Sequence, residues 1–215
     1  MSSEPAPPAA TRPLLVGGDD GPETPFPLRM EGNVTTGFQR GSTLLGFPTA
    51  NIPINDALTP WINTMDTGVY FGWSSLRLPP THADHAAPAD SPYALYPMVM
   101  SIGYNPYFKN TVRTAEVHIL HTFAEPFYGE HMRLLILGYV RPEKDYPSLD
   151  ALIADIKFDT DVARASLSRE AWAPRDVGVV GGWEAGKLDV SWLVREPEAE
   201  AEAKPEETKV ADKAV

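Results

Sequence analysis

Arg113–Phe123 reads RTAEVHILHTF, and from Thr114 to Ile119 it alternates strictly: Ala115, Val117 and Ile119 are apolar, Thr114, Glu116 and His118 polar. Successive side chains of an extended strand point to opposite faces. One face of this segment therefore enters a core, and the other carries a carboxylate beside an imidazole. VYFGWSSLRL (69–78), MVMSIGY (98–104) and MRLLILGYV (132–140) have the same character: rich in Val, Ile, Leu and aromatics, bounded by Gly, Pro or Asn. MEGNVTT (30–36) predicts a shorter strand. Helical spacing follows, with Leu149, Leu152, Ile153 and Ile156 on one face behind Ser148 as N-cap. Asp159 or Thr160 is expected to recap the chain before a second short helical stretch that turns Val162, Ala163 and Leu167 inward. Strands first and helices last predict a mainly β fold. The expected form is a closed or nearly closed antiparallel sheet with a C-terminal helical segment packed on it, because closure removes exposed edges.

The 215 residues suit one domain with some surplus, and composition says where the surplus lies. Residues 1–27, 79–97 and 197–215 hold 14 of the 22 prolines. Residues 1–27, 79–97 and 196–215 contribute −3, −2 and −4 of the formal −11. The first predicts a disordered N-terminal extension, the second a surface loop inserted between strands, and the last a disordered acidic tail. The domain proper is expected over 28–195, and a chain trimmed to about 26–195 is expected to fold. What remains is nearly neutral and has no Lys/Arg stripe to neutralise a phosphate backbone, so no nucleic-acid partner is expected. Zero cysteines exclude disulfides, thiolate metal sites and thiol nucleophiles, and fit a reducing compartment. No apolar run of membrane-spanning length, secretory signal or transit pattern is present, so a cytoplasmic protein with no membrane partner is expected.

No Walker-type loop and no G-x-G-x-x-G between strand and helix occurs. The five histidines lack H-E-x-x-H spacing, which removes a metalloprotease. Two other segments carry candidate chemistry. In Gly37-Phe-Gln-Arg-Gly-Ser-Thr43, glycines four apart let a loop turn backbone N–H groups toward an anion, and Arg40 adds charge. The same composition also makes an ordinary hairpin turn. In Gly46-Phe-Pro-Thr-Ala-Asn51, extended geometry puts Thr49 and Asn51 on one side, and paired oxygen donors suit Mg²⁺; a turn leading into a strand is the plainer reading. Glu116 is a candidate base if its face opens into a pocket, and a salt-bridged surface residue otherwise.

These segments, with Gly68-Val-Tyr-Phe-Gly-Trp73, Ser101-Ile-Gly-Tyr-Asn-Pro-Tyr-Phe-Lys-Asn110, Glu116-Val-His-Ile119 and Gly138-Tyr-Val-Arg-Pro-Glu-Lys144, occur in an order that strongly resembles riboflavin kinases (flavokinases) of the eukaryotic single-function type, over about residues 28–170. The resemblance implies a six-stranded antiparallel Greek-key barrel with a helix. It also implies transfer of the ATP γ-phosphate to the riboflavin 5'-hydroxyl, giving FMN and ADP with Mg²⁺, or Zn²⁺ in its place. It implies Glu116 as catalytic carboxylate and Thr49 and Asn51 as metal and nucleotide-phosphate positions. Gly37, with Arg40, Gly41, Ser42 and Thr43 of the same loop, falls on the nucleotide side, as do Ile119, His121 and Tyr128. Arg141, Lys144 and Tyr146 fall where the flavin product is held. Thr43 stands where some relatives have lysine, and residues 79–97 exceed the minimal family hairpin, with no role implied for them. The H-x-G-H adenylyltransferase motif of fused bacterial relatives is absent, so the reaction is expected to stop at FMN. A monomer is expected. The competing reading is a barrel that binds a flavin or nucleotide without turnover.

Overall fold

The computed structural model describes residues 12–36, 48–55, 59–104 and 113–196. Six antiparallel strands form one curled sheet: β1 (Leu28–Asn33), β2 (Ala50–Asn51), β3 (Gly68–Arg77), β4 (Ala94–Tyr104), β5 (Arg113–Ile119) and β6 (His131–Pro142), in the order β1-β6-β3-β4-β5-β2. Among the described residues, the chain just after β1 meets β2 at one bridge, Thr35↔Asn51, where Thr35 N–H donates to the Asn51 carbonyl at 2.8 Å. A 3-10 turn, Pro60–Asn63, covers part of the remaining β1 edge: the Trp61 indole donates to the Arg29 carbonyl. The mainly β, barrel-like expectation therefore holds. β3 and β6 differ from it by one or two residues at their ends, and β5 stops at Ile119 rather than running to Phe123. β1 begins two residues earlier and stops at Asn33, with Thr35 contributing only the bridge, and β4 begins at Ala94 rather than Met98.

The earlier start of β4 shortens the inserted loop, expected over 79–97, to the residues between Arg77 and Ala94. Tyr93, Ala94, Leu95 and Tyr96 are buried rather than looped out, because β4 pairs with β3 from Ala94↔Leu76 onward. Proline at position 97 hid this: it interrupts an apolar run, yet it sits opposite Trp73 without ending the strand.

β3, β4 and β6 bury both faces. Tyr70, Leu76, Met98, Met100, Leu134 and Ile136 point into the barrel, whereas Phe71, Trp73, Leu95, Val99, Leu135 and Leu137 form a second core on the outside. That outer core is covered by α1 (Leu149–Leu167) and by the returning C-terminal segment with its short α2 (Ser191–Val194). The Ser148 hydroxyl accepts from Ala151 N–H at 3.2 Å, as an N-cap should. Val162, Ala163 and Leu167 are buried as expected, while Leu149 is 58% exposed. The expected recapping at Asp159 or Thr160 does not occur, and α1 runs unbroken for 19 residues. No Gly or Pro interrupts it; Thr160 bonds back to the Lys157 carbonyl, and the Asp159 side chain points into an ionic cluster.

Of residues 12–27, expected to be disordered with the rest of 1–27, residues 12–19 pack against α1 and the turn that follows it, and Phe26 packs against the barrel core. The Arg169 guanidinium donates to the Val16, Gly17 and Gly18 carbonyls, the Trp172 indole donates to Gly18 at 2.9 Å, and Val16 N–H donates to the Ser166 hydroxyl at 3.0 Å. Gly17 has φ +74°, and a Cβ there would lie 2.4 Å from the Trp172 ring, so only glycine fits. The buried Arg133 of β6 holds another part of the chain in place. It donates to Glu31 and to the Leu193 and Arg195 carbonyls, which ties the C-terminal segment to β6. Residues 1–11 and 197–215 lie outside the described residues.

Candidate active site

β5 carries the alternation into three dimensions. Ala115, Val117 and Ile119 are buried in the barrel, and Glu116 and His118 lie half-buried on the outer face. Glu116 pairs with Ser101 on β4 and with Asn51 on β2, so Asn51, Glu116 and Ser101 form a row across three strands. On β2, Ala50 is buried between half-buried Thr49 and Asn51, which puts both oxygen-bearing side chains on the Glu116 face, as the spacing required. The His118 Nδ1–H donates to the Pro48 carbonyl at 2.9 Å and fixes the start of β2 beside β5.

Burial pushes the Glu116 carboxyl above its usual value, and the neighbouring Glu143 carboxylate pushes it further. Glu143 follows the end of β6 and reaches this face because Gly103 leaves room: a Cβ at Gly103 would lie 2.2 Å from Glu143 Oε1. Burial likewise raises Glu143, against the opposing pull of Arg141 and Arg113. Burial lowers His118, opposed by its bond to Pro48 and reinforced by Arg164, so the neutral imidazole is favoured.

A cavity of about 850 Å³ opens beside this row. Its lining includes Thr49, Ile119, His121 and Tyr128, four of the predicted nucleotide-side residues, together with Phe123, Phe127 and Arg164. Its wall is aromatic: His121 packs against Tyr96 and Phe123, and Phe123 against Phe127. Asn51 and Glu116 do not line it.

The predicted flavin-side residues gather elsewhere, at the end of β6 and the segment after it, against α1. Arg141 binds Asp159 through Nε and Nη2, at 3.0 and 2.8 Å to Oδ2, and lies 3.3 Å from Asp155. Lys144 Nζ lies 2.8 Å from Asp155 Oδ2, and the Tyr146 hydroxyl donates to the same oxygen at 2.6 Å. Arg12 pairs with both aspartates from the N-terminal side. Burial raises the Asp155 carboxyl, but the bonds from Lys144 and Tyr146 and the charges of Arg141 and Arg12 outweigh it and bring it down to about 2. Gly37, Arg40, Gly41, Ser42 and Thr43 lie outside the described residues.

Comparison with known proteins bears on what this arrangement serves. A family model described as riboflavin kinase (Flavokinase) matches residues 24–167. The riboflavin kinase of Pyricularia oryzae is 55% identical over 192 residues, covering 87% of this chain and 96% of that protein. That of Chaetomium globosum is 50% identical over 222 residues, with 87% and 94% covered. The chain belongs to the riboflavin kinase family. The fold agrees: the crystal structure of riboflavin kinase from Trypanosoma brucei aligns with TM-score 0.53 at 29% identity, over 68% of this chain and 83% of that one.

Sequence reasoning missed Glu143, Asp155, Asp159, Arg12 and Arg164. Asp155 and Asp159 stood four apart on the helix, and two carboxylates on a largely inward stripe were a readable signal. Glu143 gave none, because its neighbour Gly103 is forty residues away in the chain. Among the described residues no three His, Cys, Asp or Glu side chains assemble as a metal cluster, and no helix is long and apolar enough to cross a membrane.

Proposed function

We propose that this chain is an Mg²⁺-dependent riboflavin kinase that transfers the ATP γ-phosphate to the riboflavin 5'-hydroxyl, forming FMN and ADP, with Glu116 as general base. The observation that carries the reading is the setting of Glu116. Its half-buried carboxylate stands on the outer strand face across from Asn51, next to a nucleotide-sized cavity.

Phosphoryl transfer asks mainly for in-line positioning and neutralisation of charge, so little covalent work falls to the protein. Glu116 orients the ribityl 5'-hydroxyl and accepts its proton late in the transfer; its raised proton affinity makes it a better acceptor than an exposed glutamate. Thr49, Ile119, His121 and Tyr128 hold the nucleotide, and the backbone N–H groups and charge of the Gly37, Arg40, Gly41, Ser42 and Thr43 loop receive its phosphates. Thr49 and Asn51 would hold the cation; their all-oxygen donors fit Mg²⁺ better than Zn²⁺, which favours imidazole and thiolate. Bound there, Mg²⁺ supplies charge neutralisation to the phosphates. Arg141, Lys144 and Tyr146 grip the flavin from the α1 side, oriented by Asp155 and Asp159. The chain is proposed to act as a monomer in the cytoplasm.

Glu116→Gln keeps shape and a hydrogen-bonding oxygen but removes proton affinity. Steady-state FMN formation is expected to fall roughly 10²- to 10⁴-fold with an unchanged melting curve. Wild-type turnover in the variant would remove Glu116 from the chemistry; a wild-type protein that binds flavin or nucleotide but forms no FMN would favour the reading of a non-catalytic flavin- or nucleotide-binding barrel.

A further inference from the structure

The loop between β3 and β4, which the family resemblance leaves without a role, reaches the wall of the nucleotide-side cavity. Asp84 Oδ2 accepts from the Ala124 N–H at 2.8 Å and from the Glu125 N–H at 3.4 Å. His82 Nδ1 accepts from the Asp84 N–H at 3.1 Å, which leaves the proton on Nε2, and Nε2 lies 3.4 Å from the Pro126 carbonyl. Three consecutive backbone positions, 124 to 126, are thus held by one inserted turn. That turn is firm. His82 N–H donates to Pro79 and His85 N–H to His82 along its backbone, and the His85 ring donates to the Leu78 carbonyl at 2.9 Å. The His82 and Asp84 side chains are only 8% and 14% exposed. A nearly buried carboxylate that receives two adjacent N–H groups is a strong local anchor.

What it anchors lines the cavity. Phe123 to Tyr128 form one side of it, and Phe123 continues the aromatic packing onto His121 and Tyr96. The flavin-side residues depend on other supports, since Arg141, Lys144 and Tyr146 are held by Asp155 and Asp159 of α1. We propose that Asp84 is a positioning residue for the nucleotide: from the inserted loop it holds the 123–128 wall in its binding geometry and so sets affinity for ATP, not for riboflavin. This rests on the reading that the cavity takes the nucleotide. Burial, with the Asp84 charge adding to it, pushes the Tyr96 phenol up to about 12, consistent with the carboxylate facing the aromatic wall.

If the wall samples other conformations once released, apparent affinity drops by the fraction of time it is competent. In the full-length chain, Asp84→Ala is expected to raise the KM for ATP by about fivefold or more, with the KM for riboflavin and the melting temperature little changed. Asp84→Asn keeps an acceptor oxygen and is expected to restore most of the affinity. His82→Ala removes the Pro126 contact and the acceptor of the Asp84 N–H while leaving the Asp84 carboxylate in place, and is expected to move the ATP KM the same way by less; it carries the test should Asp84→Ala fold poorly. Amide hydrogen exchange at Ala124 and Glu125 is expected to quicken in Asp84→Ala. His121→Ala, inside the cavity, separates the two claims. If it weakens ATP while Asp84→Ala and His82→Ala leave both KM values at wild type, the brace is wrong and the cavity reading stands. If His121→Ala leaves the ATP KM unchanged, the cavity reading itself fails. Equal rises in both KM values for Asp84→Ala, or no rescue by Asp84→Asn, would also overturn the proposal.

Discussion

The carboxyl of Glu116, the proposed base, is set by its burial and by a neighbour remote in sequence. Asn51 stands across from it on β2, and Glu143 settles over Gly103 close enough to oppose its ionisation. A protonated Glu116 cannot accept the riboflavin proton, so kcat/KM should fall as pH drops through its pKa. Because burial and Glu143 raise that pKa above 4.5, the fall comes at higher pH than an ordinary glutamate would give. Glu143→Gln removes the like charge and leaves burial, so the midpoint of the acid limb is expected to move down, toward but not to the ordinary value. A pH–rate profile of the two proteins checks this, read by midpoint and not by height. An unmoved midpoint would separate Glu143 from Glu116. The alternation around Glu116 made its face legible in the sequence, because a strand's period is local information. Glu143 was not legible, since what selects it is the missing side chain at Gly103.

Helix α1 is the element that joins the site to the rest of the chain. Its N-cap and its buried Val162, Ala163 and Leu167 follow from spacing alone. The role of Asp159 does not, because a buried carboxylate reads as a cap until its partners, Arg12 and Arg141, are known. Residues 12–19 read as disordered for a related reason. The Pro-, Gly- and acid-rich stretch 1–27 around them holds few large apolar groups as a whole, and the donors that satisfy their carbonyls, Arg169 and Trp172, come from about 150 residues away. Deleting residues 1–19 removes these bonds and the Arg12 ion pairs. At about 1 kcal/mol net for each well-placed bond, the melting temperature is expected to fall by roughly 5 °C or more. An unchanged melting temperature would mean that the segment does not hold α1 in solution. Asp155 gives the helix an acid dependence. Its folded pKa, brought from 3.8 to about 2, lies below its unfolded one, so its stabilisation is complete above about pH 4 and is lost as pH falls through 2. The gap in melting temperature between wild type and Asp155→Asn is therefore expected at neutral pH and should close across that window. A gap that persists at pH 2 would assign the difference to packing.

At the scale of the molecule, a closed or nearly closed antiparallel sheet could be anticipated because closure is the simplest way for several apolar strands to avoid open edges, while the count of six strands came from the family resemblance. Less legible was that β3, β4 and β6 bury both faces, so that the chain after α1, with Trp172, Val190 and Leu193, completes an outer core. Near-continuous apolar runs such as MRLLILGYV announce two buried faces but not what covers the second. Two groups of side chains stand on this frame: the cavity of Thr49, Ile119, His121 and Tyr128, and the cluster of Arg141, Lys144 and Tyr146 held against α1. In the proposed reaction the first takes the nucleotide and the second the flavin. The most direct test is to incubate the full-length protein with riboflavin, ATP and Mg²⁺, separate the flavins by chromatography and quantify ADP in the same samples. The account predicts FMN in one-to-one ratio with ADP, dependent on both ATP and the divalent cation; riboflavin recovered unphosphorylated from a folded protein that nonetheless binds flavin or nucleotide would contradict it.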